Sequence, residues 1–188
     1  MVQEAWFSGD TAIIIQEEGK TETALTTDVL SINQSGFERE TEGIVTFGNG
    51  RITQKKPQAD GTVEIELVFT DTQLDKIFWG STVTTAAPAT VYSGGEQNAH
   101  RITIIRTDGD LPTTAIAAIT GETYRVAYAN AYAVTLEPEQ EADGYLKAKL
   151  TFKVSPTDDA ADANVRTDYL ATGAMPAFAA YTSTTKWV

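Results

Sequence analysis

The chain has 188 residues, with 26 Asp plus Glu against 14 Lys plus Arg and a formal charge of −12. That length suits one domain with a real core, and the acid excess argues against a free-standing nucleic-acid binder, which needs Lys and Arg to neutralise phosphates. There is no cysteine and one histidine, His100, which excludes disulfides, thiolate catalysis, zinc–cysteine sites and His-rich metal centres.

In chain order, residues 1–10 read as an N-terminal arm carrying Trp6 and Phe7. The first Lys is Lys20 and the first apolar run, Ala12 to Ile15, is short, so no secretory pattern is present. The longest apolar stretch, near Ala174 to Tyr181, is broken by Pro176 and falls short of the ~18 residues a membrane helix needs. The chain therefore reads as soluble and made in a cytoplasm, with no membrane partner.

Strands are expected at Thr11 to Gln16, Asp28 to Gln34 and Ile44 to Phe47. Phe37 to Pro57 holds Gly-Asn-Gly at 48–50 and reads as a long projecting hairpin. A strand at Arg51 to Lys56 comes before Asp60–Gly61, a hairpin turn pair because both turn residues need positive φ. Pro57 lacks an amide donor and belongs at a strand end or sheet edge.

From Gly61 the alternation is strict. Val63, Ile65, Leu67 and Phe69 share one face, and Thr62, Glu64 and Glu66 share the other. That is a half-buried strand with one wet side. Thr70 to Phe78 follows, with Leu74, Ile77 and Phe78 at helical spacing behind a Thr cap. Gly80 to Gln97 is rich in Thr, Ala, Ser and Gly and reads as a loop with room for a short strand. His100 reads as a surface histidine at the start of the strand Arg101 to Thr107. Short turns of helix are expected within Ala115 to Ile119 and Pro156 to Val165.

A long strand spans Thr123 to Leu136. Strict alternation puts Tyr124, Val126, Tyr128, Tyr132, Val134 and Leu136 on one face. It puts Arg125, Ala127, Ala129, Ala131 and Ala133 on the other, a small-residue face suited to close packing. Asp143–Gly144 then opens a strand with Leu146, Ala148, Leu150, Phe152 and Val154 facing inward. This hairpin matches the earlier one position by position, Gly144 with Gly61 and Phe152 with Phe69, as shared hairpin grammar. The wet faces differ in sign: Glu64 and Glu66 on one strand, Lys147 and Lys149 on the other. They are either ordinary solvated faces or complementary surfaces between subunits.

The tail, residues 170–188, reads as a C-terminal arm with Met175, Phe178, Tyr181 and Trp187. Such aromatics either complete this domain's core or dock on a partner chain. The order of elements predicts a mainly β fold, an antiparallel β-sandwich or barrel with one short flanking helix at about 70–78. It is one domain, 1–188, with a projecting hairpin and extended arms.

Catalytic patterns are absent: no G-x-S-x-G, no H-E-x-x-H and no dinucleotide fingerprint. Gly43 to Gly48 has phosphate-loop spacing, but Asn49–Gly50 stands where Lys–Ser/Thr is required. The acid clusters Glu137/Glu139/Glu141/Asp143 and Asp158/Asp159/Asp162 do not fit a calcium loop. No catalytic, metal or cofactor residue is assigned, and the chain does not read as an enzyme.

Several stretches resemble the tail tube (major tail) proteins of tailed phages and tailed archaeal viruses. Val-Leu-Ser-Ile-Asn-Gln-Ser-Gly and Phe-Glu-Arg-Glu-Thr-Glu-Gly, residues 29–43, look like the strand leading into the family's long loop. Gly61 to Trp79 looks like the return strand and helix. Ala-Tyr-Ala-Asn-Ala-Tyr-Ala-Val-Thr-Leu, ending at Leu136, and Tyr-Leu-Lys-Ala-Lys-Leu-Thr-Phe-Lys-Val, ending at Val154, look like its late hairpin. The resemblance implies a structural virion protein, assembled in the host cytoplasm. Rings of six would stack into a tube that conducts viral DNA. Its partners would be copies of itself, a tape measure, a tail terminator and the passing DNA, held without specificity. A capsid decoration, tail terminator or binding module is the alternative.

In such an assembly the expected subunit contacts are Trp6, Phe7, Phe37, Phe47, Arg51, Ala127, Ala129, Ala131, Met175, Phe178, Tyr181 and Trp187. Glu64 and Glu66 are the expected lumen-facing acids, since carboxylates repel phosphates. Deleting 170–188 is then expected to block polymerisation and leave the sandwich folded. The acid excess has a rival cause in adaptation to high salt, as in a halophilic virus.

Overall fold

A computed structural model describes residues 11–19, 23–26, 28–46, 50–68, 73–80, 82–86, 89–92, 98–114, 117–140, 142, 144–154, 166–177 and 181. For 23–26, 39–46, 50–58, 73, 82–86 and 89–92 it describes the backbone alone. The elements run β1 (Thr11–Glu17), β2 (Thr23–Thr26), β3 (Val29–Gly36), β4 (Arg39–Thr46), β5 (Gly50–Gln58) and β6 (Gly61–Val68). Then come α1 (Gln73–Trp79), β7 (Thr82–Ala86), β8 (Ala89–Tyr92), β9 (His100–Thr107), β10 (Glu122–Gln140), β11 (Leu146–Val154) and β12 (Arg166–Thr172).

The expected architecture is present: an antiparallel sheet curled into a half-barrel, with one short helix. Its strand order is β2-β1-β9-β10-β11-β6-β3, with β12 also on β10. The main core fills the curl. The alternating residues Val63, Ile65 and Leu67 of β6 meet Ala148, Leu150, Phe152 and Val154 of β11 there. Leu74, Ile77 and Phe78 of α1 pack onto the same cluster, as their helical spacing predicts.

β1 and β9 do not alternate, because both of their faces are covered. Ile13, Ile15, Ile102 and Ile104 enter the main core. Ala12, Ile14 and Ile105 enter a second cluster on the opposite face with Ile119 and Met175. An unbroken apolar run is what a strand buried on both sides requires. Ile119, expected in a turn of helix, instead pairs with Met175 as an isolated bridge, with N–O distances of 3.3 and 2.7 Å.

The faces of β10 differ from strict alternation. Val126 and Tyr128 lie in the main core, but so do Ala131 and Ala133. Tyr132 and Val134 point outward, 43% and 49% exposed. The cause is Asn130, which has φ +53 at a register shift between Tyr128 and Ala131. A bulge adds one residue to one strand and swaps the faces beyond it. A second shift between Ala133 and Thr135 swaps them back, so Leu136 packs on the core again.

The Asp60–Gly61 turn does not join β5 to β6. β5 pairs with β4, while β6 pairs with β3 and β11. β6 must face β3 and β11 to bury its apolar side, so the reversal lies at the far end of a ribbon, β4–β5. That ribbon is the projecting hairpin read from the sequence. At its root Gly36 and Phe37 have φ +78 and +58, and the Ala59 amide donates to the Glu38 carbonyl at 2.9 Å.

The segment read as a loop at 80–97 contains the hairpin β7–β8. Leu170 to Thr172, read as the start of an arm, are the last residues of β12, opposite Glu122 to Tyr124. The expected helix within 156–165 and the N-terminal arm lie outside the described residues.

Candidate assembly surface

The second half of β10, with β11, β6 and β3, forms a four-stranded block. β9 leaves β10 at Ala131, opposite His100. From Tyr132 to Gln140, β10 pairs on one side with β11, and its other edge has no strand partner among the described residues. β3 ends the sheet order, so its outer edge is also without a described partner.

The block's outward face is polar and charged. Across it Glu137 stands opposite Lys149, and Lys149 stands opposite Glu66. Glu139 stands opposite Lys147. Lys149 bridges to Glu64 at 3.1 Å, and Lys153 to Asp60 at 2.6 Å. From β3, Ser31 Oγ donates to Glu66 at 3.0 Å and Asn33 Nδ2 to Glu64 at 3.3 Å. The hydrogen bond from Lys149, then that from Asn33, holds the Glu64 carboxyl below its usual pKa. A hollow of about 340 Å³ is lined by Glu66, Glu137, Glu139, Lys147, Ala148 and Lys149.

The face therefore sets Asp60, Glu64, Glu66, Glu137 and Glu139 against Lys147, Lys149 and Lys153. Acid and base meet within one chain on neighbouring strands. Among the two readings of the wet faces, these contacts match the ordinary solvated one.

A buried polar cluster sits behind the Asn130 bulge. Arg101 is fully buried, and its Nε and Nη2 donate to Gln16 Oε1 at 2.9 and 2.7 Å. Tyr181 covers this guanidinium, 5.2 Å from ring centre to Cζ. Arg125 is held the same way: Tyr169 lies 5.1 Å away and the Pro176 carbonyl accepts from Nη1 at 3.3 Å. Burial pushes both guanidinium pKa values down to about 10.

His100 starts β9 as read, but it is not a surface residue. It is 2% exposed, with its ring 6.0 Å from Phe152. Burial lowers its pKa, opposed by the Glu17 charge and a hydrogen bond to the Ala131 backbone. The folded state holds His100 neutral below the unfolded value of 6.5, so the unfolded chain binds the extra proton. Stability is complete above that value and falls as pH drops through it, by at most about 1.4 kcal/mol per pH unit. Urea midpoints at about pH 7 and about pH 5.5 should show this slope, and His100→Gln should flatten it. An equal slope in both proteins would overturn the assignment.

The expected contact residues have varied places. Ala127 and Ala131 are buried within this chain, and Ala129 is half-buried beside the bulge. Phe37 stacks on Tyr128, with centroids 5.4 Å apart. Met175 and Tyr181 are 0% and 2% exposed, inside this chain's own fold. Arg51 is backbone-paired with Val45 in the ribbon. Trp6, Phe7, Phe47, Phe178 and Trp187 lie outside the described residues. Glu64 and Glu66 lie together on the charged face. Sequence reading missed Asn130, Gln16, Arg101 and Arg125. Only Asn130 carried a signal, since Asn favours positive φ.

No protein-family model matches the sequence, and no curated protein matches it. Among solved structures, a chain in the cryo-EM structure of the anti-feeding prophage cap, its tube-terminating cap, superposes with a TM-score of 0.52 at 12% identity. The match covers 91% of this chain and 95% of that one. At that identity the likeness is one of fold. Looser likenesses are to the six-fold symmetrised baseplate of the same particle and to the PVC sheath/tube terminator of an extracellular contractile injection system. Their TM-scores are 0.49 and 0.46, at 12% and 14% identity. They cover 81% and 75% of this chain, and 92% and 87% of theirs. Among the described residues no helix is long and apolar enough to cross a membrane, and no three acidic or imidazole groups are placed to hold a metal.

Proposed function

We infer that this chain is a structural, non-enzymatic subunit of a phage-like tail, and that it assembles into stacked rings forming a tube for viral DNA. The observation that carries this reading is the four-stranded block, two edges of which have no strand partner among the described residues. Exposed edges are hazards that folds pair, cover or blunt, and cyclic symmetry pairs them without leaving ends. The strands of the block alternate in direction, so β3 of one copy meets β10 of the next antiparallel. Each copy would extend one continuous sheet.

With the charged face inward, each copy would bring five acids and three lysines to the bore, leaving it acidic by two charges per subunit. Phosphates would find no basic stripe to hold them. A tape measure and other tail proteins are the expected partners, and the virion tail is the expected location. A second reading, a tail terminator, is favoured by the likeness to a chain of the tube-terminating cap.

Negative-stain electron microscopy of the purified protein at millimolar concentration tests both. Stacked rings or hollow tubes are expected, whereas single rings that never stack indicate the terminator. A strict monomer at low and high salt would sink both.

A further inference from the structure

β10 performs two tasks within one strand. Its first half lies between β9 and β12, and its second half presents the open edge. The junction is Asn130, in a left-handed conformation that few residues other than Gly and Asn adopt. Such a conformation persists only where its surroundings hold it.

Here one residue from the far end of the chain does the holding. The Asn130 backbone amide donates to the Tyr181 hydroxyl at 3.2 Å. That hydroxyl donates back to Asn130 Oδ1 at 3.2 Å. Tyr181 is in turn fixed from two other sides. Its ring lies against Arg101, which is anchored on Gln16 of β1. Its carbonyl accepts from the Gly19 amide at 3.1 Å, just beyond β1. The phenol thus ties β1, β9 and the β10 bulge into one joint.

We propose that Tyr181 is a clasp that sets the Asn130 pivot and thereby aims the open edge of β10 at its neighbour. The ring seam in this statement rests on the assembly reading above; the clasp itself is a property of the single chain. Docking of Tyr181 is then a condition for a competent edge, so a chain whose C-terminal segment has not docked does not join a ring. That order of events protects an exposed edge from pairing during folding.

Tyr181→Phe tests the clasp, because it keeps the ring on Arg101 and removes only the hydroxyl. Hydrogen exchange is followed in the monomer for β10 amides bonded to β11, and for β1 and β9 amides as an internal reference. Expected is about tenfold faster exchange between Tyr132 and Gln140 with the reference amides unchanged, and ring formation slowed about tenfold by light scattering. Equal acceleration in all three strands, or none, overturns the clasp. If the wild-type protein forms no rings, the assembly reading fails, while the exchange comparison still decides the clasp.

Discussion

A chain lacking residues 170–188 is expected to unfold rather than merely fail to assemble. The deletion removes the Leu170 to Thr172 end of β12 from beside β10. It also removes Met175, fully buried against Ile14, Ile105 and Ile119, and the bridge that ties it to Ile119. Tyr181 and the Pro176 carbonyl leave two buried guanidiniums, Arg101 and Arg125, with part of their contacts gone. Truncating one buried Met or aromatic side chain costs about 2–5 kcal/mol, and a domain's whole margin is about 5–15 kcal/mol. Two such losses plus disturbed buried charge exceed or consume that margin. Calorimetry should show no cooperative transition for the truncated chain. A chain ending after Tyr181 keeps every contact named here and should melt cooperatively. A wild-type transition in the chain truncated before Leu170 would refute this account of the C-terminal segment. The sequence-based expectation of a folded, non-polymerising sandwich treated 170–188 as an arm, whereas Met175 and Tyr181 are buried in this chain's own core.

Gly61→Ala is expected to destabilise by about 2–3 kcal/mol, through Phe37. A Cβ at Gly61 would overlap the Phe37 ring. That ring turns back over the glycine at the root of the ribbon, stacks on Tyr128 and is held by a φ of +58. Tyr128 is itself fixed, donating its hydroxyl to Gln34 Oε1 at 2.6 Å. Gly36 beside it is also constrained, with φ +78 and the Asp60 carbonyl 2.7 Å from where a Cβ would stand. An added methyl must therefore expel the ring, losing a stack worth about 0.5–1.5 kcal/mol and straining a packed core by about 1–3 kcal/mol. The decisive measurement is a double-mutant cycle in urea. In a Phe37→Ala background the ring that supplies the nearest contacts is gone, so Gly61→Ala should cost less than about 0.5 kcal/mol. An undiminished cost in that background would show that Phe37 is not the cause.

Much of the fold is legible in the residues because short-range rules act on them alone. Val63, Ile65 and Leu67, and Ala148 through Val154, alternate cleanly, and each lies in the core as period two demands. The ribbon and helix α1 follow from turn residues and helical spacing. Asp60–Gly61 misled because a turn-forming pair does not specify which strands flank it; the apolar face of β6 had two better partners in β3 and β11. β10 misled because one left-handed residue among alternating Ala and Tyr reverses the side chains from Ala131 to Val134, until the second register shift, and a sequence with suitable residues on both faces cannot report the reversal.

The candidate surface divides the same way. The acids and lysines of the charged face were visible as opposite-sign strands, yet only strand adjacency shows that Lys149 reaches Glu64 in the same chain. Met175 and Tyr181 were visible as apolar residues near the C-terminus, but their burial depends on contacts with Ile119, Arg101 and Asn130, far away in sequence. By itself the sequence determined the class: a mainly β chain without thiols, acidic, with one short helix and a projecting ribbon. Pattern and composition suffice for that because they act locally. The tertiary structure decided which edges stay open, which aromatics are core and where β10 turns over, because each depends on long-range pairing that no local pattern encodes.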